Sequence, residues 1–151
     1  MDDAITGPIS AQNAPTARGV VAPAILAVYG AMLAAIAFWP TPVDADARGL
    51  LSQLTHAVPM LTYPRLEFGA NILLFVPLGA LLAVILPRAR WLVVPLALAV
   101  TVTVECVQAV ALAQRTPSFL DIVANTVGAG LGLMLVVVMT ATRQSARDAG
   151  A

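Results

Sequence analysis

Six side chains in this chain could do chemistry: Asn71, Glu105, Gln108, Arg115, Asp121 and Asn125. They are acids, amides and one guanidinium, set among apolar neighbours. Carboxylates and amide oxygens accept hydrogen bonds, and a guanidinium donates to phosphate or carboxylate in a fixed fork. Such a set suits recognition of a charged headgroup, and Glu105 or Asp121 would also serve as an acid or base. A charge at the centre of a membrane helix costs about 2.5–3.5 kcal/mol on insertion scales. Glu105, the deepest of the group, must therefore pair, sit in a wet cavity or be protonated. Arg115 is the partner at hand for Glu105 or Asp121. The plainer reading is that these groups only glue helices together, through hydrogen bonds that contribute about 0.6 kcal/mol each on average. One such residue per helix would be ordinary, and a layer of acid, amide and guanidinium is richer than glue requires.

The elements that must position them begin with Arg115–Gly132. Ser118 followed by Asp121 reads as a helix N-terminus in the manner of a capping box. The helix then runs apolar to Thr142. At 100° per residue, Asp121, Asn125, Gly128 and Gly132 fall within roughly 60° of one another. That face carries an acid, an amide and then glycines. The spacing of Gly128 and Gly132 lets another helix approach closely in lipid, so the face is expected to point at protein.

Composition sets the class. The chain has 151 residues, of which 60% are hydrophobic and 11% charged, with a mean hydropathy of +0.89. Soluble domains average about 25% charged residues, so this is an integral membrane protein of one domain. The formal net charge is zero, which excludes a basic footprint for nucleic acid. Cys106 is the single cysteine; it can form no internal disulfide, and no Cys/His cluster implies a metal or other cofactor.

Four apolar runs are long enough to cross a bilayer: Val20–Trp39, Phe68–Pro87, Trp91–Ala113 and Phe119–Thr142. The expected architecture is an all-α bundle of four transmembrane helices over residues 20–142. A disordered tail precedes it at 1–19 and a polar tail follows at 143–151. The first run reads as a retained span, because its leader is acidic and it is longer than a signal-peptide core. In the loop 40–67, Leu50, Leu51, Leu54 and Val58 recur at helical spacing, which predicts a short amphipathic helix in the interface. His56 lies in that segment and reads as a solvated residue rather than a catalyst. In the second span, Asn71, Phe75 and Leu78 share a stripe with Gly79 at its edge, and Pro77 removes one backbone hydrogen bond. In the third, Thr101, Glu105 and Gln108 share a face.

Arginine counting orients the bundle. One side holds Arg18, Arg88, Arg90, Arg143 and Arg147, and the other holds Arg48, Arg65 and Arg115. The excess places both termini in the cytoplasm. Asn71 then lies about one turn inside the outer end of its span, Gln108 and Glu105 about one to two turns inside theirs, and Asp121 and Asn125 in the first two turns of the last. Arg65, Glu67 and Arg115 flank the same end. Nearly all strong polar groups fall in one outer-leaflet layer.

Three segments carry a resemblance: NILLFVPLG at 71–79, the Glu105-x-x-Gln108 pair, and RTPSFLDIVANTVGAGLG at 115–132. In this order and compact spacing they resemble the VanZ-like family of bacterial membrane proteins. The resemblance covers roughly residues 65–140 and implies a four-helix protein of the cytoplasmic membrane. It also implies a possible link to resistance to the glycopeptide teicoplanin, with which the family's founding member is associated. It supplies no molecular activity.

Three function classes remain. The first is binding or moving an envelope lipid or a lipid-linked cell-wall precursor, with Arg115 facing phosphate. The second is an interaction module or homo-oligomer whose glycine face docks a partner helix. The third is a membrane-embedded enzyme using Glu105 or Asp121. Ser118 and Cys106 have no adjacent histidine to make a nucleophile, and no nucleotide motif implies a pump. The residues weigh toward the first class.

Overall fold

A computed structural model describes residues 17–39, 62–112 and 118–150. The expected amphipathic helix of the first loop, His56, Arg48 and Arg115 lie outside the described residues. The described chain folds into four long helices: α1 (Ala17–Ala37), α2 (Tyr63–Ile85), α3 (Val93–Ala111) and α4 (Phe119–Asp148), with a single 3-10 turn (Arg90–Leu92) between α2 and α3. All four are long and apolar enough to cross a membrane, as the hydropathy of the sequence predicts.

Two ends differ from expectation. Helix α2 begins five residues before Phe68, with Pro64 in its first turn, where the missing N–H costs nothing. Asn71 therefore lies about 12 Å along the helix, deeper than one turn. Helix α4 continues past Thr142 to Asp148. Arg143 and Arg147 of the polar tail are exposed on its last turns. Alanine, glutamine and arginine there are strong helix formers, and cations suit a helix C-terminus.

The core is built of small residues. Ala83, Ala97, Ala124 and Ala129 are fully buried, while Val110 is 91% and Phe119 77% exposed on the faces turned outward. Lipid is as apolar as leucine, so helices gain by close backbone approach rather than by burying bulk. The closest approach joins α2 to α4. A Cβ on Gly128 would fall on the Ile72 carbonyl oxygen, and one on Gly132 on the Val76 carbonyl oxygen. A Cβ on Gly79 would fall on the backbone of Ala129. Positions Ile72 to Val76 on α2 advance with Gly128 to Gly132 on α4, so these two helices run in the same direction. The glycine face points at protein, as its spacing predicts. Pro77 by contrast is exposed, and α2 runs through it without a break. One residue beyond the carbonyl that Pro77 deprives of a donor, Leu74 O accepts a hydrogen bond from Tyr29 Oη at 2.6 Å, which pins α1 to α2.

Substitutions should separate these glycines. Gly128→Leu and Gly132→Leu must displace backbone, and each should cost more than about 3 kcal/mol, the upper end of ordinary overpacking. Gly130 faces nothing within 4 Å, and Gly130→Ala should be neutral or add about 0.5–1 kcal/mol. Thermal unfolding in detergent reads all three; equal midpoints for the leucine variants and the parent would place the groove against lipid.

Candidate functional site

The end of the bundle where α1 and α3 finish and α2 and α4 begin gathers the polar groups. A cavity of about 570 Å³ opens there, walled by all four helices. Asn71 and Glu67 reach it from α2, Glu105 and Gln108 from α3, and Asp121 and Asn125 from α4. The rest of its wall is largely apolar, with Leu26 and Leu33 from α1, Leu74 and Leu78 from α2, and Val100 and Val104 from α3. The structure thus brings five of the six chemistry-bearing residues to one cavity. Arg115, the sixth, lies outside the described residues.

The helical period explains the convergence. Thr101, Glu105 and Gln108 are spaced four and three apart, which stacks them on one side of α3; all are buried. Asp121, Asn125, Gly128 and Gly132 do the same on α4, so the glycine contact with α2 also aims the acid and the amide.

The hydrogen bonds give these groups separate tasks. Gln108 Nε2 donates to Ala37 O at 2.8 Å. That carbonyl closes α1 and has no intrahelical donor, and there is no water in a bilayer core to supply one. Gln108 therefore finishes α1 and ties it to α3. Glu105 Oε2 accepts the backbone N–H of Ser118 at 2.9 Å, the residue that caps the start of α4. A carboxylate at a helix N-terminus is favoured both by the free N–H groups and by the helix dipole.

This corrects the capping-box expectation. Ser118 is the N-cap, but its side chain makes no capping hydrogen bond. In a capping box the third helical residue, here Asp121, would take the N-cap N–H. Glu105 of the neighbouring helix takes it instead, and Asp121 lines the cavity. Asn125, 5% exposed, donates from Nδ2 to Thr101 Oγ1 at 2.8 Å. Its Oδ1 is buried and has no hydrogen-bond partner.

At the opposite end Arg90 performs the equivalent service for α2. Its Nε donates to Ala83 O at 3.3 Å and its Nη1 to Thr140 Oγ1 of α4 at 3.5 Å. Sequence reasoning used Arg90 only to orient the chain and assigned no bond to Tyr29. It placed Thr101 on the correct face without a partner. Periodicity carried the signal for Thr101; none existed for the other two, because each binds a backbone carbonyl on another helix.

The cavity volume lies within the roughly 300–1,000 Å³ usual for small-molecule sites. Among the described residues, its three carboxylates do not assemble into a metal-holding cluster. A family model described as VanZ/LLP1 matches residues 26–140. No curated protein and no solved structure matches the chain.

The Glu105–Ser118 bond yields a direct test. Glu105→Ala should leave the part-buried Ser118 N–H without this acceptor at the start of α4 and cost about 1 kcal/mol or more of stability. Glu105→Gln keeps an acceptor oxygen and should retain most of it. If the two variants unfold at the same temperature, the bond contributes nothing to holding α4.

Proposed function

The chain belongs to the VanZ/LLP1 family, and on that premise we propose that it receives the headgroup of an envelope lipid or a lipid-linked cell-wall precursor in the cavity at the polar end of its bundle. The observation that carries this reading is the cavity itself, apolar along its walls and lined by Asn71, Glu105, Gln108, Asp121 and Asn125. A lipid has the same division, with an acyl part for the wall and a polar part for the layer. Arg115, in the connection that enters α4 just before Ser118, is the group proposed to meet phosphate.

The bundle is proposed to lie in the bacterial cytoplasmic membrane with both termini inside and the cavity in the outer leaflet. The arginine asymmetry supports that orientation. Any link to teicoplanin resistance would follow from the occupant of the cavity, and is read as glycopeptide susceptibility with and without the protein.

The interaction-module reading loses its expected surface, because α2 fills the Gly128/Gly132 groove. An enzymatic reading would assign acid or base work to Glu105 or Asp121. Glu105 already holds the Ser118 N–H, which favours a structural and binding part for it.

Two measurements test the proposal. Mass spectrometry of the detergent-purified protein should find a lipid retained at about one per chain, and the cavity-filling substitution Leu78→Trp should remove it; a parent that carries no lipid under any mild extraction would end this reading. For orientation, exposed Cys106 is first replaced by serine. A membrane-impermeant thiol reagent should then label a cysteine placed at Ser52 but not one at Ala89 in intact cells. The reverse pattern would put the polar layer in the inner leaflet.

A further inference from the structure

Basic side chains gather at the end of the bundle away from the cavity. Arg88 and Arg90 stand at the turn after α2, and Arg143 and Arg147 on the last turns of α4. Arg90 joins the two groups, because its Nη1 donates to Thr140 Oγ1 of α4 at 3.5 Å. Thr140, Arg143 and Arg147 fall within roughly 60° of one another on α4, so the stripe that meets Arg90 continues into the other two arginines. Thr140 stands about 32 Å along α4 from Phe119, close to the roughly 30 Å of a hydrocarbon core. These guanidiniums therefore reach the headgroup layer.

The charge there has one sign. Of the acids among the described residues, Glu67, Glu105 and Asp121 line the cavity at the other end. Asp148, the last residue of α4, is the one that shares an end with the four arginines. Arg90 is also fixed in place. Its Nε donates to Ala83 O and its Nη1 to Thr140 Oγ1, which uses two of five N–H donors and leaves three. Arg88, Arg143 and Arg147 are exposed beside it. A held guanidinium with donors to spare, next to further guanidiniums at headgroup depth, suits a phosphate oxygen in both charge and geometry.

We propose that this end binds the phosphate of an anionic phospholipid, which bridges Arg90 at the turn to Arg143 on α4. Arg88 and Arg147 extend the positive field around it. The site is separate from the cavity and does not depend on what the cavity holds. A zwitterionic headgroup brings the same phosphate but adds a cation to a basic surface, so it binds more weakly.

The test uses the full chain in detergent, with Leu78→Trp in every sample to keep lipid out of the cavity. Phosphatidylglycerol and phosphatidylcholine with identical acyl chains are titrated by native mass spectrometry. Phosphatidylglycerol should bind about tenfold or more tightly, since each arginine near a lipid surface is worth about fivefold. Arg143→Gln combined with Arg147→Gln alters only exposed positions and should bring the ratio down to about twofold or less. Arg65→Gln, which removes a charge near the start of α2 at the other end, should leave it unchanged. Equal affinity for the two lipids in the parent would overturn the proposal. So would a ratio that survives the double arginine variant, or one that falls as far with Arg65→Gln, since net charge alone would then explain it. Glycerophosphoglycerol binding as tightly as the lipid would make the ligand a soluble phosphate ester and overturn the lipid assignment. None of these results bears on the cavity, whose occupant is read from the chain without Leu78→Trp.

Discussion

The contact on which the rest of this structure depends is backbone against backbone: α4 laid into α2 through Gly79, Gly128 and Gly132. In lipid there is no water to expel from between helices, so bulky apolar side chains gain little by facing one another. Removing the side chain lets dispersion act between main chains at the shortest range. It also fixes rotation. Once Gly128 sits on Ile72, Asn125 and Asp121 one and two turns earlier can point only toward the space beside Asn71. The cavity begins where the glycines stop, because polar residues replace them on the same face of α4. The helix contact and the polar pocket are two parts of one stripe.

A second constraint decides what the polar residues do there. A helix leaves carbonyls unpaired at one end and N–H groups at the other, and a bilayer offers them nothing. Gln108 finishes α1, Arg90 finishes α2, and Glu105 starts α4. All three reach across to another helix, so the same bonds that satisfy an end also set the relative height of two helices. This divides the polar layer. Gln108 and Glu105 hold the ends of helices, whereas Asn125 ties α4 to α3 through Thr101 and is left with an unpaired, buried Oδ1. A layer that looks uniform along the sequence therefore contains groups with different structural tasks.

The placement of Glu105 shows how such a division costs little. A carboxylate buried at 6% exposure would be expensive alone. Set against the N–H of Ser118, the N-cap of α4, it meets the partial positive charge of a helix start. The protein therefore keeps an acid at membrane depth by using the geometry of a helix end.

The sequence by itself determined the class, the four spans and their faces. Bilayer thickness demands a minimum apolar run, and the helical period turns residue spacing into angle; both are local properties. They were enough to put Asp121, Asn125, Gly128 and Gly132 on one stripe, to put Thr101, Glu105 and Gln108 on another, and to collect the polar groups at one end. Tertiary structure alone decided that the glycine groove receives α2, that Ser118 N–H goes to Glu105 instead of Asp121, and that Gln108 closes α1. It also decided that Tyr29 serves Leu74 O and that Asn125 Oδ1 is left over. Each of these depends on the height and rotation of one helix against another. A shift of one residue moves a group about 1.5 Å and turns it by about 100°, more than a hydrogen bond tolerates, and no spacing within a single helix encodes that offset.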